Sequence, residues 1–152
     1  MATPILLSVP GNMLVPPFPA VAPIFTRARL LRYHNWMSEQ FPWIQIGAGI
    51  NRQTLVHGTS MYQMRAELDA GSRMPAHQHP QEQIVHVLEG RMRLVVSGVV
   101  HEMKIGDSFY LASNILHAVE TIENTLVLDT FSPPRGDYLL LDETARGKAG
   151  KP

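Results

Sequence analysis

Apolar and polar residues alternate with period two along short runs through most of this chain. The runs are 53–57, 60–68, 83–89, 91–97, 99–104, 107–111, 117–122 and 125–131. Turn formers separate them: Gly58, Ala70–Gly71, Gly90, Gly98, Gly106, Ser113–Asn114 and Glu123–Asn124. Alternation at this period sends successive side chains to opposite faces of a strand. Many short strands at such spacing predict an all-β fold, a barrel or sandwich, over 43–141. Tyr62, Met64, Ala66 and Leu68 form one apolar face, with Gln63, Arg65 and Glu67 opposite. Gln83 shares a face with Val85 and Val87, His117 with Val119 and Thr121, and Asp129 with Val127 and Phe131. If those faces line one interior, Gln83, His117 and Asp129 all point into it, and polar groups buried without partners are costly.

The flanks read differently. Residues 1 to about 25 carry six prolines, which rule out a helix or a central strand there. This Pro-rich arm holds Ile5, Leu6, Leu7, Leu14, Val15 and Phe18, side chains that a partner subunit would cover. Thr26 can cap a short helix over RARLLRYHNWMSE, with Leu30, Tyr33, His34 and Met37 at helical spacing. The arm and short helix make up 1–42. The tail after Leu141, DETARGKAGKP, has no apolar pattern, so 142–152 is expected to be disordered.

Composition narrows the chemistry. The chain has 152 residues, 13 basic and 13 acidic, and net charge +0. That balance gives no electrostatic case for nucleic acid or an anionic membrane as partner. No apolar run approaches the roughly 20 residues that span a bilayer. The N-terminus lacks the charged and continuous apolar regions of a signal peptide, which leaves a cytoplasmic location as the expectation. With no cysteine, disulfides and thiolate catalysis are excluded. Any metal must bind His, carboxylate or amide, which suits Ni, Zn, Mn or Fe better than Cu(I).

One stretch offers such ligands. In HQHPQEQIVHVLEG, His77 and His79 stand two apart, the spacing that projects two imidazoles to one side of a strand. A pair alone is weak evidence, but the surroundings are specific. Gly71-x5-His77-x-His79-x3-Gln83-x6-Gly90 is followed by Gly106-x5-Ala112-x-Asn114-x2-His117. Together these resemble the two motifs of the cupin superfamily over about two-thirds of the chain. The resemblance implies a small jelly-roll β-barrel with a divalent metal inside, its ligand positions falling on His77, His79, Gln83 and His117. Two positions depart from the family pattern. Ala112 stands where the family has proline. Gln83 stands where most members have glutamate, so the ion keeps one more positive charge and the site favours an anionic ligand. Glu82 is adjacent and faces the other way on a regular strand; a bulge would turn it inward instead.

A second resemblance is narrower. Residues 129–139, DTFSPPRGDYL, are similar to the closing strand of cupins that act in pectin and alginate breakdown. Those enzymes convert 4,5-unsaturated uronates from the ring to the open-chain keto form, and glutamine is among their metal ligands. Their Asp-x-Phe-x3-Arg pattern falls on Asp129, Phe131 and Arg135, with Gly136 where relatives often carry Glu. The roles implied are a general acid/base for Asp129, a pocket wall for Phe131 and a carboxylate fork for Arg135. The expected partner is a small acidic sugar, and the chain is expected to be a homodimer. A metal-dependent oxygenase and a non-enzymatic sugar- or effector-binding protein are the alternatives, because one barrel hosts many activities. His57, His86 and His101 are expected outside the site, with His101 solvated.

Overall fold

The computed structural model describes residues 41–149. The arm and the short helix expected before residue 41 lie outside the described residues. Ten strands and one helix follow in order: β1 (Ile44–Gly47), β2 (Ile50–His57), β3 (Tyr62–Leu68), β4 (Arg73–His77), β5 (Glu82–Glu89), β6 (Arg91–Val96), β7 (Val99–Lys104), β8 (Ser108–Leu111), β9 (His117–Thr121), β10 (Thr125–Ser132) and α1 (Gly136–Ala149). They form two antiparallel sheets, β1-β2-β3-β10-β5-β8 and β4-β9-β6-β7, the layers of a jelly roll. Among the described residues no helix is long and apolar enough to cross a membrane.

The alternating positions do what their spacing predicts. Tyr62, Met64, Ala66 and Leu68 are buried, and so are Val85, Val87, Val127 and Phe131 from the same sheet. Met92, Leu94 and Met103 meet them from the other sheet in one core. The outward face of the four-stranded sheet is charged, with Arg73–Glu120, Arg93–Glu102 and Arg93–Glu120 pairs at 3.7, 3.4 and 3.8 Å. Exposed pairs of this kind contribute little stability. Gly90 joins β5 to β6 at φ 79°, and a Cβ there would stand 2.1 Å from the Asn124 carbonyl oxygen, so only glycine fits.

Two strands lie outside the runs read from alternation. β1 is only four residues long. β4, RMPAH, contains Pro75, which interrupts a ladder. The strand tolerates it because β4 is an edge of its sheet and its register with β9 shifts between Met74 and His77.

The expectation for the C-terminus is corrected. The tail from Asp142 is not disordered through Ala149: it continues α1. Nor does the segment 129–139 stay a strand; β10 stops at Ser132, Pro133 and Pro134 follow, and Arg135 stands just before the helix. The reason is polar rather than apolar. Asp142 is fully buried and accepts from Arg52 Nη1 at 2.8 Å and from Thr54 Oγ1 at 2.5 Å. Arg52, also fully buried, donates to Tyr138 O at 2.9 Å, and the Tyr62 hydroxyl lies 2.6 Å from Thr54 Oγ1. Tyr138 and Leu139 pack on the core beside this network. A helix held by one buried carboxylate and two core side chains in its first turn leaves no apolar stripe to read.

Removing one partner of a buried ion pair leaves the other charge uncompensated, at a cost of about 3–5 kcal/mol. Asp142→Ala should therefore lower unfolding stability by about that much in denaturant titration. Glu120→Ala, on the charged outer face, should change it by under about 1 kcal/mol.

Candidate metal centre

The first motif places its histidines at the end of an edge strand. His77 is the last residue of β4 and pairs across the ladder with His117, the first of β9. His79 follows past the strand, where Pro80 has no N–H to continue pairing. The second motif pins this loop. Asn114, at φ 59°, donates its backbone N–H to His79 O at 2.8 Å, and Ser113 Oγ donates to Pro80 O at 2.7 Å. The two motifs are thus tied together backbone to backbone, and their three imidazoles converge. One ring nitrogen from each of His77, His79 and His117 falls within 4.8 Å of the others, a group that could hold a metal ion.

The backbone also selects the tautomer. Nδ1 of His77 lies 2.8 Å from Pro75 O, that of His79 2.9 Å from Gln81 O, and that of His117 2.9 Å from Ile115 O. A carbonyl only accepts, so each Nδ1 carries the proton and each Nε2 keeps its lone pair for the site. Burial is the main force holding His79 below its usual pKa, with the Arg135 charge next. Burial likewise pushes His117 down to about 4. Both rings are neutral near pH 7, the form that binds metals.

Gln83 completes the set from β5. Its amide Nε2 donates to Asp129 Oδ1 at 2.9 Å, which turns Oε1 toward His79 Nε2 at 3.1 Å. Two lone pairs then face each other in a buried place, an arrangement that repels unless a cation joins them. Two donors about 2.1 Å from one ion, at a right angle, stand about 3.0 Å apart. The donor set of three imidazoles and an amide therefore fits a divalent transition metal. Glu82 does not join it: the β5–β8 register is regular, Glu82 points outward, and its carboxylate accepts from Tyr110 Oη at 2.9 Å.

Asp129 and Phe131 reach the same interior from β10, where Asp129 faces Val85 and Phe131 faces Gln83 across the ladder. Asp129 is buried, and that burial pushes its carboxyl up to about 6 against the opposing pull of Gln83 and Arg135. Phe131 packs edge-on to His79, ring centroids 5.5 Å apart. Arg135 lines the same cavity with His77, Gln83, His117 and Asp129. Its side chain is nearly buried, and its Nε and Nη2 donate to Asp137 at 2.9 and 2.6 Å. All seven expected positions stand around this interior, and Asp137 and Tyr138, not expected there, meet Arg135 beside it. Their signal was the stretch RGDYL itself, read in the sequence as strand.

The remaining histidines stay outside. His86 bonds Ser108 Oγ at 2.7 Å, and His57 lies beside Phe41 at 6.0 Å between ring centroids. His101 is half-buried against Phe109, at 4.7 Å, rather than solvated as expected.

Comparison with known proteins agrees with this architecture. Residues 64–131 match the cupin domain. An RmlC-like cupin from Shewanella frigidimarina NCIMB 400 is 30% identical with a TM-score of 0.63, covering 67% of this chain and 92% of that one. The structure of KdgF from Halomonas sp. is 27% identical, TM-score 0.63, over 68% of this chain and 96% of that one. The pectin degradation protein KdgF of Dickeya dadantii (strain 3937) is 28% identical over 106 residues, 68% of this chain and 96% of its own length.

Long-range proton–nitrogen NMR should find the proton on Nδ1 in His77, His79 and His117. An Nε2–H tautomer at any of the three would contradict the carbonyl contacts described above.

Proposed function

The chain belongs to the cupin superfamily, and on that premise we propose that it opens the ring of a 4,5-unsaturated uronate, or a closely similar acidic sugar, to the keto form. The observation that carries this reading is one amide. Gln83 joins Asp129 to the histidine cluster, and Arg135 stands on the same cavity wall. Similarity to a pectin degradation protein supports an acidic sugar as the substrate class.

His77, His79, Gln83 and His117 would hold the metal, one divalent ion of Ni, Zn, Mn or Fe. When bound, it supplies a Lewis acid for a sugar oxygen. The chain's own groups do the rest. Arg135 receives the uronate carboxylate through charge-assisted hydrogen bonds. Phe131 gives a wall against the sugar face. Asp129, the one carboxylate lining the cavity among the described residues, moves the proton. The reaction is an isomerisation and needs no co-reactant. The anomeric hydroxyl loses a proton, the bond from C1 to the ring oxygen breaks, and C1 becomes an aldehyde. C4 gains a proton as the former ring oxygen becomes the C5 ketone. Asp129 takes the first proton and returns one to C4, the work of a positioned general acid/base.

We also propose that the chain is a homodimer. Ile84 and Tyr110 are neighbours on the outward face of the six-stranded sheet and are 48% and 55% exposed. The outward face of the other sheet mixes charged pairs with the exposed Val100. Sheet-on-sheet pairing of two copies would cover the apolar row.

Ring opening removes the conjugated double bond, so absorbance at the ultraviolet edge should fall faster with metal-loaded protein than without it. Asp129→Asn should lower kcat by at least about 100-fold while elemental analysis finds the metal retained. Absorbance that decays only at its spontaneous rate with wild type would end the isomerase reading. Normal turnover by Asp129→Asn would end the assigned mechanism alone. Light scattering should give twice 17.0 kDa for the full chain and a smaller mass for Ile84→Arg. A monomeric wild type refutes the dimer.

A further inference from the structure

The Arg135 guanidinium is fixed in more directions than an ion pair requires. Its centre lies 4.0 Å from the Tyr138 ring centroid and 5.3 Å from that of Phe131. Tyr138 is itself fixed: the Arg52 guanidinium lies 4.6 Å from its ring, and Arg52 Nη2 donates to its carbonyl. Two rings against the guanidinium restrict how far it can turn. The fork to Asp137 sets its rotation within its own plane. A guanidinium has five N–H donors, and Asp137 takes two of them along the Nε–Nη2 edge. Asp137 does not use the edge built on Nη1; Tyr138 adds a side-chain hydrogen bond to the guanidinium, and Arg135 lines the cavity. The anchor and the charge are also segregated: the Asp137 side chain is 57% exposed, that of Arg135 only 10%.

This placement works against helix electrostatics. Leu139 N donates to Arg135 O at 3.0 Å, so Arg135 stands at the start of α1, where the helix dipole disfavours a cation. Asp137, in the first turn, offsets that cost. A buried cation held at the unfavourable end of a helix, clamped in plane and in rotation, is arranged to present one edge.

We propose that Asp137 and Tyr138 are positioning residues that hold the Nη1 edge of Arg135 in one plane, making the site selective for a carboxylate held coplanar with its ring. The uronate reading of the cavity is the basis for naming that ligand. In a 4,5-unsaturated uronate, conjugation with the double bond keeps the carboxylate in the plane of the adjoining ring atoms. In the saturated sugar, C5 is tetrahedral and the carboxylate turns freely. A freely turning Arg would meet both equally well; a locked edge pre-organises contact with the first.

A pair of unreactive probes tests this apart from turnover. 2-Furoate carries a coplanar carboxylate beside a ring oxygen, and tetrahydro-2-furoate carries a freely turning one. Calorimetry on the metal-loaded protein should show 2-furoate binding about tenfold tighter, the order of one charge-assisted contact. Asp137→Asn keeps an oxygen to cap the helix but loses the charged fork, and the preference should shrink to about twofold or less through weaker 2-furoate binding. Asp137→Glu should restore part of it. Tyr138→Leu, which frees the plane and leaves Asp137 in place, should blunt the preference independently should the Asn variant fold poorly. Equal binding of the probes by wild type, or no binding of either, overturns the proposal. So does a preference unchanged in Asp137→Asn and Tyr138→Leu, which would leave Asp137 a helix cap and nothing more. A probe preference in a protein that fails to open the unsaturated uronate would sink the isomerase reading and leave the locked edge standing.

Discussion

Burying a guanidinium and a carboxylate together is expensive, and the cost is offset only when nearly every donor and acceptor finds a partner. Arg52 and Asp142 meet that condition through Thr54 and the Tyr138 carbonyl, with Arg52 Nε alone left without a hydrogen bond. The wall of the cavity depends on this pair. It docks α1 against β2, and α1 brings Tyr138 to the interior beside Arg135. Without the pair, only Tyr138 and Leu139 would hold the helix start to the core, and the side of the cavity that carries its positive charge would be less firmly placed.

The site at the other end of that wall is organised by backbone carbonyls. Three of them orient three imidazoles without using any further side chain, so the interior keeps room for a ligand. One amide then couples the imidazoles to Asp129. Glutamine suits this coupling in a way glutamate does not. Its Nε2 donates to one neighbour while its Oε1 faces another, whereas a carboxylate could only accept and would repel Asp129. The departure from the usual family residue at position 83 and the presence of Asp129 are therefore one feature, not two.

The barrel was legible because alternation with period two is a local signal that packing preserves: the interior faces of β3, β5, β9 and β10 are the faces read from the sequence. The convergence of His77, His79 and His117 was implied by the resemblance of the paired motifs to the cupin superfamily, and the inward direction of Gln83 by its alternation with Val85 and Val87. What escaped had physical causes. β4 was hidden by Pro75, a residue that argues against a strand except at an edge. α1 was hidden because a buried charge holds it, and the partner of that charge lies ninety positions earlier in the chain. Asp137 and Tyr138 were passed over because a strand reading of 129–139 sends alternate side chains to opposite faces, whereas the start of a helix gathers neighbours around one guanidinium.

Pro75 has an effect beyond the carbonyl it offers to His77. Strand edges are templates on which other chains can add themselves, and β4 is such an edge. Proline has no N–H to lend an incoming strand, and the shifted register around it spoils the regular spacing that cross-strand addition needs. The rim that bears the histidines is thereby protected against aggregation.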